Sequence, residues 1–260
     1  MSRSTDPKLR RLPVAALRKK TARIARLLEQ HLGVPDRRMP LPEPLDMLVA
    51  TILSQNTNDK NSHRSYTELR RRYPTWELVA GARPAAVRSA IRTGGMANQK
   101  SARIRETLAA VWRRYGKYDL SPLRRKSNDR IIGELTGLKG VGAKTAACVL
   151  LFSLGRDVFP VDVHVHRLCT RLGLAPETKN PERTYAAMKD LVPRGKGHSF
   201  HTNLIRFGRT VCRSSNPRCG VCPLYALCTF EGRIEGRTAP MPLPRPPSRA
   251  DHDFMLLDNV

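Results

Sequence analysis

A chain of 260 residues can bury a full core, as one large domain or two small ones. Its 47 Lys and Arg against 22 Asp and Glu leave a formal charge of +25. That excess asks for a polyanion such as a phosphate backbone, although charge alone does not separate DNA, RNA and anionic membrane surfaces. Aromatic residues are only 5% of the chain, too sparse for a platform that stacks single-stranded bases, and no apolar stretch approaches membrane-spanning length. A soluble intracellular protein acting on a duplex is expected.

Residues 1–14 are polar and basic, without the apolar region of a secretory leader, and read as a flexible tail. Leu17, Ile24, Leu27, Leu28 and Leu32 then recur at helical spacing, and Leu45, Leu48, Val49, Ile52 and Leu53 do so again. The polar run from Ser54 to Asp59 closes that second stripe; by composition it is a helix cap. Further helices are expected around 66–72, 85–92, 101–114, 128–136, 144–154, 165–171, 182–191 and 199–211, so the fold reads as all-α. Val158, Val161, Val163 and Val165 lend one segment a strand-like composition, which Pro160 in its middle weakens. No repeat of solenoid period is present. Pro240, Pro242, Pro244, Pro246 and Pro247 deny regular structure to the end of the chain, and residues 232–260 are expected to be a second flexible tail.

Between the apolar residues Ile131, Ile132 and Leu135 and the run from Ala146 to Phe152 stands Leu138-Lys139-Gly140-Val141-Gly142-Ala143-Lys144-Thr145-Ala146. Two helices joined by a Gly-x-Gly turn result. Glycine admits left-handed backbone and close approach of a ligand, and the helix start after it offers unpaired N–H groups to an anion such as phosphate. An ordinary αα-hairpin with a glycine turn explains these nine residues equally well. Lys144 opens the second helix, where the helix start and neighbouring cations disfavour an ammonium. A neutral amine there is a nucleophile; otherwise it is one more surface cation. Asp162, in the run from Pro160 to Arg167, would by itself be read as a helix cap.

Four of the six cysteines, Cys212, Cys219, Cys222 and Cys228, fall within 17 residues with the spacing C-x6-C-x2-C-x5-C. Four thiolates serve zinc or an iron–sulfur cluster, and the spacing alone leaves both open. Arg213 and Arg218 lie inside this loop, either reaching phosphates or standing as solvated charges. Cys148 and Cys169 lie in helical segments and read as small buried hydrophobes.

Taken together, the LxGVGxKTA run, the VDxHVxR run and the cysteine spacing after Phe207-Gly208-Arg209 resemble the endonuclease III family over roughly residues 15–231. The resemblance implies a helix–hairpin–helix at about 132–151 in a six-helix, barrel-like domain at 38–157. It also implies an iron–sulfur domain made of 15–37 and 158–231, and a DNA-binding cleft between the two. Lys144 would attack the sugar C1′ and Asp162 would assist glycosidic cleavage, while the four cysteines would hold a [4Fe–4S] cluster. Gly140 and Gly142 would carry the phosphate contact. His164 matches the family's histidine and is as readily structural as catalytic.

Extrusion of a nucleotide needs something to fill the gap, and Gln55 matches the family's residue for it. The run from Gly94 to Lys100 resembles a second DNA-contacting loop, in which Met96 replaces the usual leucine wedge and Lys100 would face DNA. Lys139 replaces a common proline and would add a charge toward the duplex. The implied function is base excision repair: a bifunctional N-glycosylase and abasic-site lyase acting as a monomer on damaged duplex DNA, with oxidised pyrimidines the family expectation. Its place would be the nucleoid, or a nucleus in a eukaryote. The competing readings are a monofunctional mismatch or adenine glycosylase, which lacks the hairpin lysine, and a non-enzymatic duplex-binding module, which gives no reason for Lys144 and Asp162.

Overall fold

A computed structural model describes residues 12–37 and 39–233. Among these every regular element is helical, and they form two compact units: Val34 through Asp162, and the chain up to Gly33 together with Val163 onward. Residues 1–11 and 234–260, which hold most of the two expected tails, lie outside the described residues, and Val14 already opens the first helix.

The unit from Val34 to Asp162 is organised around α2 (Pro44–Ser54), after α1 (Val14–Leu32) of the other unit. Proline at the first turn costs α2 no hydrogen bond, and Asp46 complements the helix start. From Leu45 to Leu53 every residue but Asp46 is buried, so α2 is apolar on all sides and must sit inside other helices. It packs on α3 (Asp59–Arg72), α6 (Ala97–Tyr115) and α8 (Ala143–Cys148). The Asn58 side chain caps α3 by accepting from the Asn61 N–H at 2.9 Å, and three arginines, Arg70 to Arg72, complement its C-terminal end. Two short helices, α4 (Trp76–Gly81) and α5 (Pro84–Ala90), close one side of α6. Sequence periodicity misses α4 because six residues supply too few turns to show a period; only the Thr75 cap and the buried Trp76 and Val79 mark it.

The hairpin is α7 (Asn128–Thr136) and α8, joined through Gly137 to Gly142. α8 does not run on as an α-helix: Val149–Ser153 widens into a π turn, with the Leu154 N–H donating to the Val149 carbonyl at 3.1 Å, and all five of its residues are buried. The strand-like valines form no strand. Val161 is buried in an extended link, and Val163 and Val165 belong to α9 (Val163–Arg171).

In the other unit α11 (Gly197–Thr210) is the central helix, packed on α1 and α9, with α10 (Pro181–Met188) against α9. Glu29 of α1 accepts from the Lys196 ammonium at 2.9 Å and from the Ser199 hydroxyl at 2.7 Å. The Asn203 amide donates to the Gly33 carbonyl at 2.9 Å. A Cβ on Gly208 would come within 3.0 Å of Arg167 Nη2 and 3.2 Å of His164 Cβ, so the glycine is what lets α9 and α11 approach.

Candidate active site and cysteine loop

The hairpin turn begins from the core: Val141 is buried and fixes the loop, and Gly140 takes φ +76°, a left-handed angle that favours glycine. Gly142 is different. It caps α8 with ordinary extended angles, and a Cβ on it would meet no atom within 4 Å, so its backbone faces open space. Lys144 comes next in the first turn of α8, partly exposed, with Thr145 buried beside it.

One helical turn later Cys148 is fully buried. Burial pushes its thiol pKa up; Lys144 draws it down and Asp162 raises it again. Both expected chemical groups thus bias the titration of one buried sulfur. Asp162 is partly exposed and directly precedes α9.

Gln55 ends α2, and its carboxamide is held on both sides. The oxygen accepts from Arg103 Nη1 at 2.7 Å, and the nitrogen donates toward Thr145 Oγ1 at 3.5 Å. Asn56 next to it has φ +51°, an angle asparagine tolerates, and its amide approaches the Met96 sulfur at 3.7 Å. Met96 itself is left-handed, caps α6 and is exposed. The Gln55 turn, the Met96 loop and the hairpin thus come together within one unit. Beside Met96 lies an open pocket of about 590 Å³, lined among others by Arg88, Arg92, Asn98 and Gln99.

Lys100 corrects the sequence reading. Expected to face DNA, it is 2% exposed, and its ammonium donates at 2.8 Å to the carbonyls of both Leu53 and Gly94. Burial lowers its pKa. A buried ammonium spent on two carbonyls has no reach to a phosphate; it fixes the base of the Gln55 turn and of the Met96 loop at once. Lys139 is exposed but pairs with Glu106 at 3.1 Å.

The cysteine loop is secured by two arginines of α9. Arg167 Nη2 donates to the carbonyls of Gly208 at 2.8 Å and Cys212 at 3.0 Å. Arg171 donates to the carbonyls of Arg213 at 2.7 Å and Ser214 at 3.0 Å, approaches Cys212 Sγ at 3.4 Å, and lies 4.3 Å over the Phe230 ring. Among the described residues no three His, Cys, Asp or Glu side chains are placed to hold a metal ion. The thiols are nevertheless close enough to act on each other: burial pushes Cys222 up to about 12, with added contributions from Cys212, Cys228 and Cys219. The Arg213 and Arg218 side chains make no hydrogen bond or ion pair with other described residues, Arg213 exposed and Arg218 half-buried. His164 packs between Arg167 and Gly208, and His166 Nδ1 meets Thr184 Oγ1 at 2.8 Å, tying α9 to α10.

Sequence reasoning missed Arg103 and Arg171, and it quoted Arg167 in the VDxHVxR run without giving it a role. Each is one among 47 basic residues, and what distinguishes it is a carbonyl or amide acceptor distant in sequence. Only the i, i+4 spacing of Arg167 and Arg171 on one helix face could have hinted at a shared task.

Known proteins resemble this chain in both sequence and fold. The HhH-GPD superfamily of base excision DNA repair proteins matches residues 49–194. Endonuclease III of Thermotoga maritima is 34% identical over 201 residues, 75% of this chain and 90% of that one. A candidate DNA glycosylase of Arabidopsis thaliana is 38% identical over 149 residues, 57% of this chain, and the match spans 51% of the plant protein's length. Among solved structures, a trapped endonuclease III–DNA covalent intermediate superposes with a TM-score of 0.69 at 26% identity, over 84% of this chain and 96% of that one.

Proposed function

The chain belongs to the endonuclease III family of helix–hairpin–helix base excision DNA repair glycosylases, and from that premise we propose that it is bifunctional, a DNA N-glycosylase and abasic-site lyase that removes oxidised pyrimidines from duplex DNA. The observation that supports this reading most directly is the hairpin itself, which sets Lys144 in the first turn of α8 behind the left-handed Gly140, with both Lys144 and Asp162 near enough to bias the buried Cys148 thiol. The related enzyme trapped covalently on DNA supports an attacking protein group.

In this reading the hairpin backbone at Gly140 and Gly142 holds a phosphate, Gln55 fills the space left by an extruded nucleotide and Met96 wedges the step beside it. Asp162 stabilises the positive charge that develops on the sugar as the base departs with its electron pair. The Lys144 amine forms the new bond at C1′ and gives a proton to solvent; the C1′–O4′ bond then breaks, O4′ keeping the electron pair and taking up a proton, which leaves a protonated imine. That imine acidifies the C2′ hydrogen, whose removal expels the 3′ phosphate and nicks the strand. The protein works as a monomer wherever the genome is kept. No described helix is long and apolar enough to cross a membrane.

The four thiols would be the ligands of a [4Fe–4S] group: by chemistry they are soft sulfur donors on one short loop clamped by Arg167 and Arg171, and they act on one another's titration. Such a group would tie the loop that carries Arg213 and Arg218, whose guanidinium groups, uncommitted among the described residues, suit phosphate contact.

Borohydride should trap the parental protein on lesion-bearing duplex as an adduct stable on a denaturing gel. Lys144→Gln should lose trapping and nicking while still binding DNA. Asp162→Asn should lose most base excision and be less impaired on a preformed abasic site. Trapping at the parental rate by Lys144→Gln would show that the nucleophile is elsewhere, and base removal without any trapped adduct would favour the monofunctional reading.

A further inference from the structure

Arg103 lies on α6, three residues beyond Lys100 and half-buried. Among the described residues its guanidinium makes a single hydrogen bond, to the Gln55 carboxamide oxygen at 2.7 Å, and no ion pair. The same guanidinium rests on the hairpin: a Cβ on Gly140 would collide with its Nε, Cζ and Cδ atoms. Gly140 is glycine for its left-handed angle, and its lack of a side chain leaves the room in which the arginine lies. Gln55 in turn leans on Thr145, the neighbour of Lys144.

A charged donor on a neutral amide oxygen is roughly twice as strong as a neutral hydrogen bond, and here it selects one of the two amide orientations of Gln55. With the oxygen facing Arg103 and the nitrogen facing Thr145, the side chain is fixed before any duplex arrives. Ordering a free glutamine at the moment of opening would otherwise cost rotamer entropy.

We propose that Arg103 is a positioning residue: seated on Gly140, it presets the Gln55 carboxamide, so that the turn entering the duplex and the hairpin that holds its backbone act as one part. This rests on the reading of Gln55 and the hairpin given above. The guanidinium does not touch the reacting atoms; it acts through Gln55.

The test uses the full chain, a duplex carrying a stable abasic-site analogue beside 2-aminopurine, whose fluorescence rises when the stack opens, and a lesion duplex for single-turnover excision. Arg103→Met, which keeps the bulk over Gly140 and removes the donor, should lower both the opening signal and the excision rate roughly tenfold. Arg103→Lys, able to donate from a single nitrogen, should recover part of that loss. In a Gln55→Ala background Arg103→Met should change either readout by less than about twofold, because the residue through which it acts is gone.

An unaltered opening signal in folded Arg103→Met overturns the proposal, as does a tenfold loss that persists in the Gln55→Ala background. Should Arg103→Met unfold, the lysine variant carries the decision: recovery of folding without recovery of opening makes Arg103 merely structural. A parental protein that neither opens nor excises any duplex refutes the functional reading and this inference with it. A parent that excises while Arg103→Met matches it refutes the inference alone.

Discussion

The two units are built on opposite kinds of central helix. α2 is apolar but for Asp46, Thr51 and Ser54, and the residues buried around it, among them Leu69, Ile104, Leu108, Ile131 and Val149, make one contiguous hydrophobic core. α11 is equally enclosed but buries His198, Ser199, His201, Thr202 and Asn203 along with its apolar residues. A buried polar group without a hydrogen-bond partner costs free energy; Ser199 and the Asn203 amide nitrogen have theirs in Glu29 and Gly33, whereas the Thr202 hydroxyl and the Asn203 amide oxygen have none among the described residues. The hairpin unit gains its precision from close packing, onto which loops are pinned by a few buried donors. The other unit gains it from arginine and glutamate contacts to backbone and hydroxyl groups, and its cysteine loop has almost no core of its own.

The sharpest way to break that contrast is to remove the buried ammonium of the packed unit. Lys100→Met keeps the volume but leaves the Leu53 and Gly94 carbonyls without their partner. We expect a loss of about 2–4 kcal/mol in denaturant unfolding, together with loosened Gln55 and Met96 loops seen as faster amide exchange. An effect below about 1 kcal/mol would mean that Lys100 is a displaced surface cation after all.

A smaller loss is expected in the other unit, where the contacts are more exposed. Arg171→Met removes donors to the Arg213 and Ser214 carbonyls and the approach to Cys212, and should cost about 1–2 kcal/mol. Protein prepared without oxygen should also carry less iron and sulfide per chain than the parent. Full iron loading in the variant would show that the loop's shape does not depend on this clamp.

The smallest effect belongs to Glu134 on α7. Burial alone would raise its carboxyl, but hydrogen bonds from Lys126 and Tyr115 and the charge of Arg114 outweigh burial and lower its pKa from the ordinary value of 4.5. A carboxylate lowered in the folded state stabilises above its unfolded pKa and loses that contribution as pH falls through the folded value. Glu134→Gln should therefore cost at most about 1 kcal/mol near neutral pH, and parent and variant should converge in strong acid. A difference that persists unchanged in strong acid would assign it to packing.

Most of the helices were legible because their apolar residues recur every three or four positions, and α2 could be placed by the stripe from Leu45 to Leu53. The short α4 was not, and neither was the π turn, because both obey hydrogen-bond geometry that leaves no mark on hydrophobic period. At the site, spacing and resemblance singled out Lys144, Asp162 and the cysteines. They could not tell a surface lysine from a buried one: Lys100 and Lys139 share a charge, yet one is enclosed by carbonyls and the other paired in solvent. That distinction is set by tertiary neighbours, as is the pairing of Arg103 with Gln55 across 48 positions of chain.

The π turn at Val149–Ser153 means that the chain there carries one residue more than an α-helix would need to cover the same ground. Each residue of a helix turns the chain by about 100°, so a surplus residue sets the phase between the segments on its two sides. Lys144 and Asp162 stand on opposite sides of this surplus. Substitutions within the buried turn would alter packing, but deletion of a single residue would let the helix close up regularly and swing the chain leading to Asp162 by about a quarter turn or more relative to Lys144. The register between amine and carboxylate is thus written in chain length, and among changes in this stretch a one-residue deletion is the one that no repacking of side chains restores.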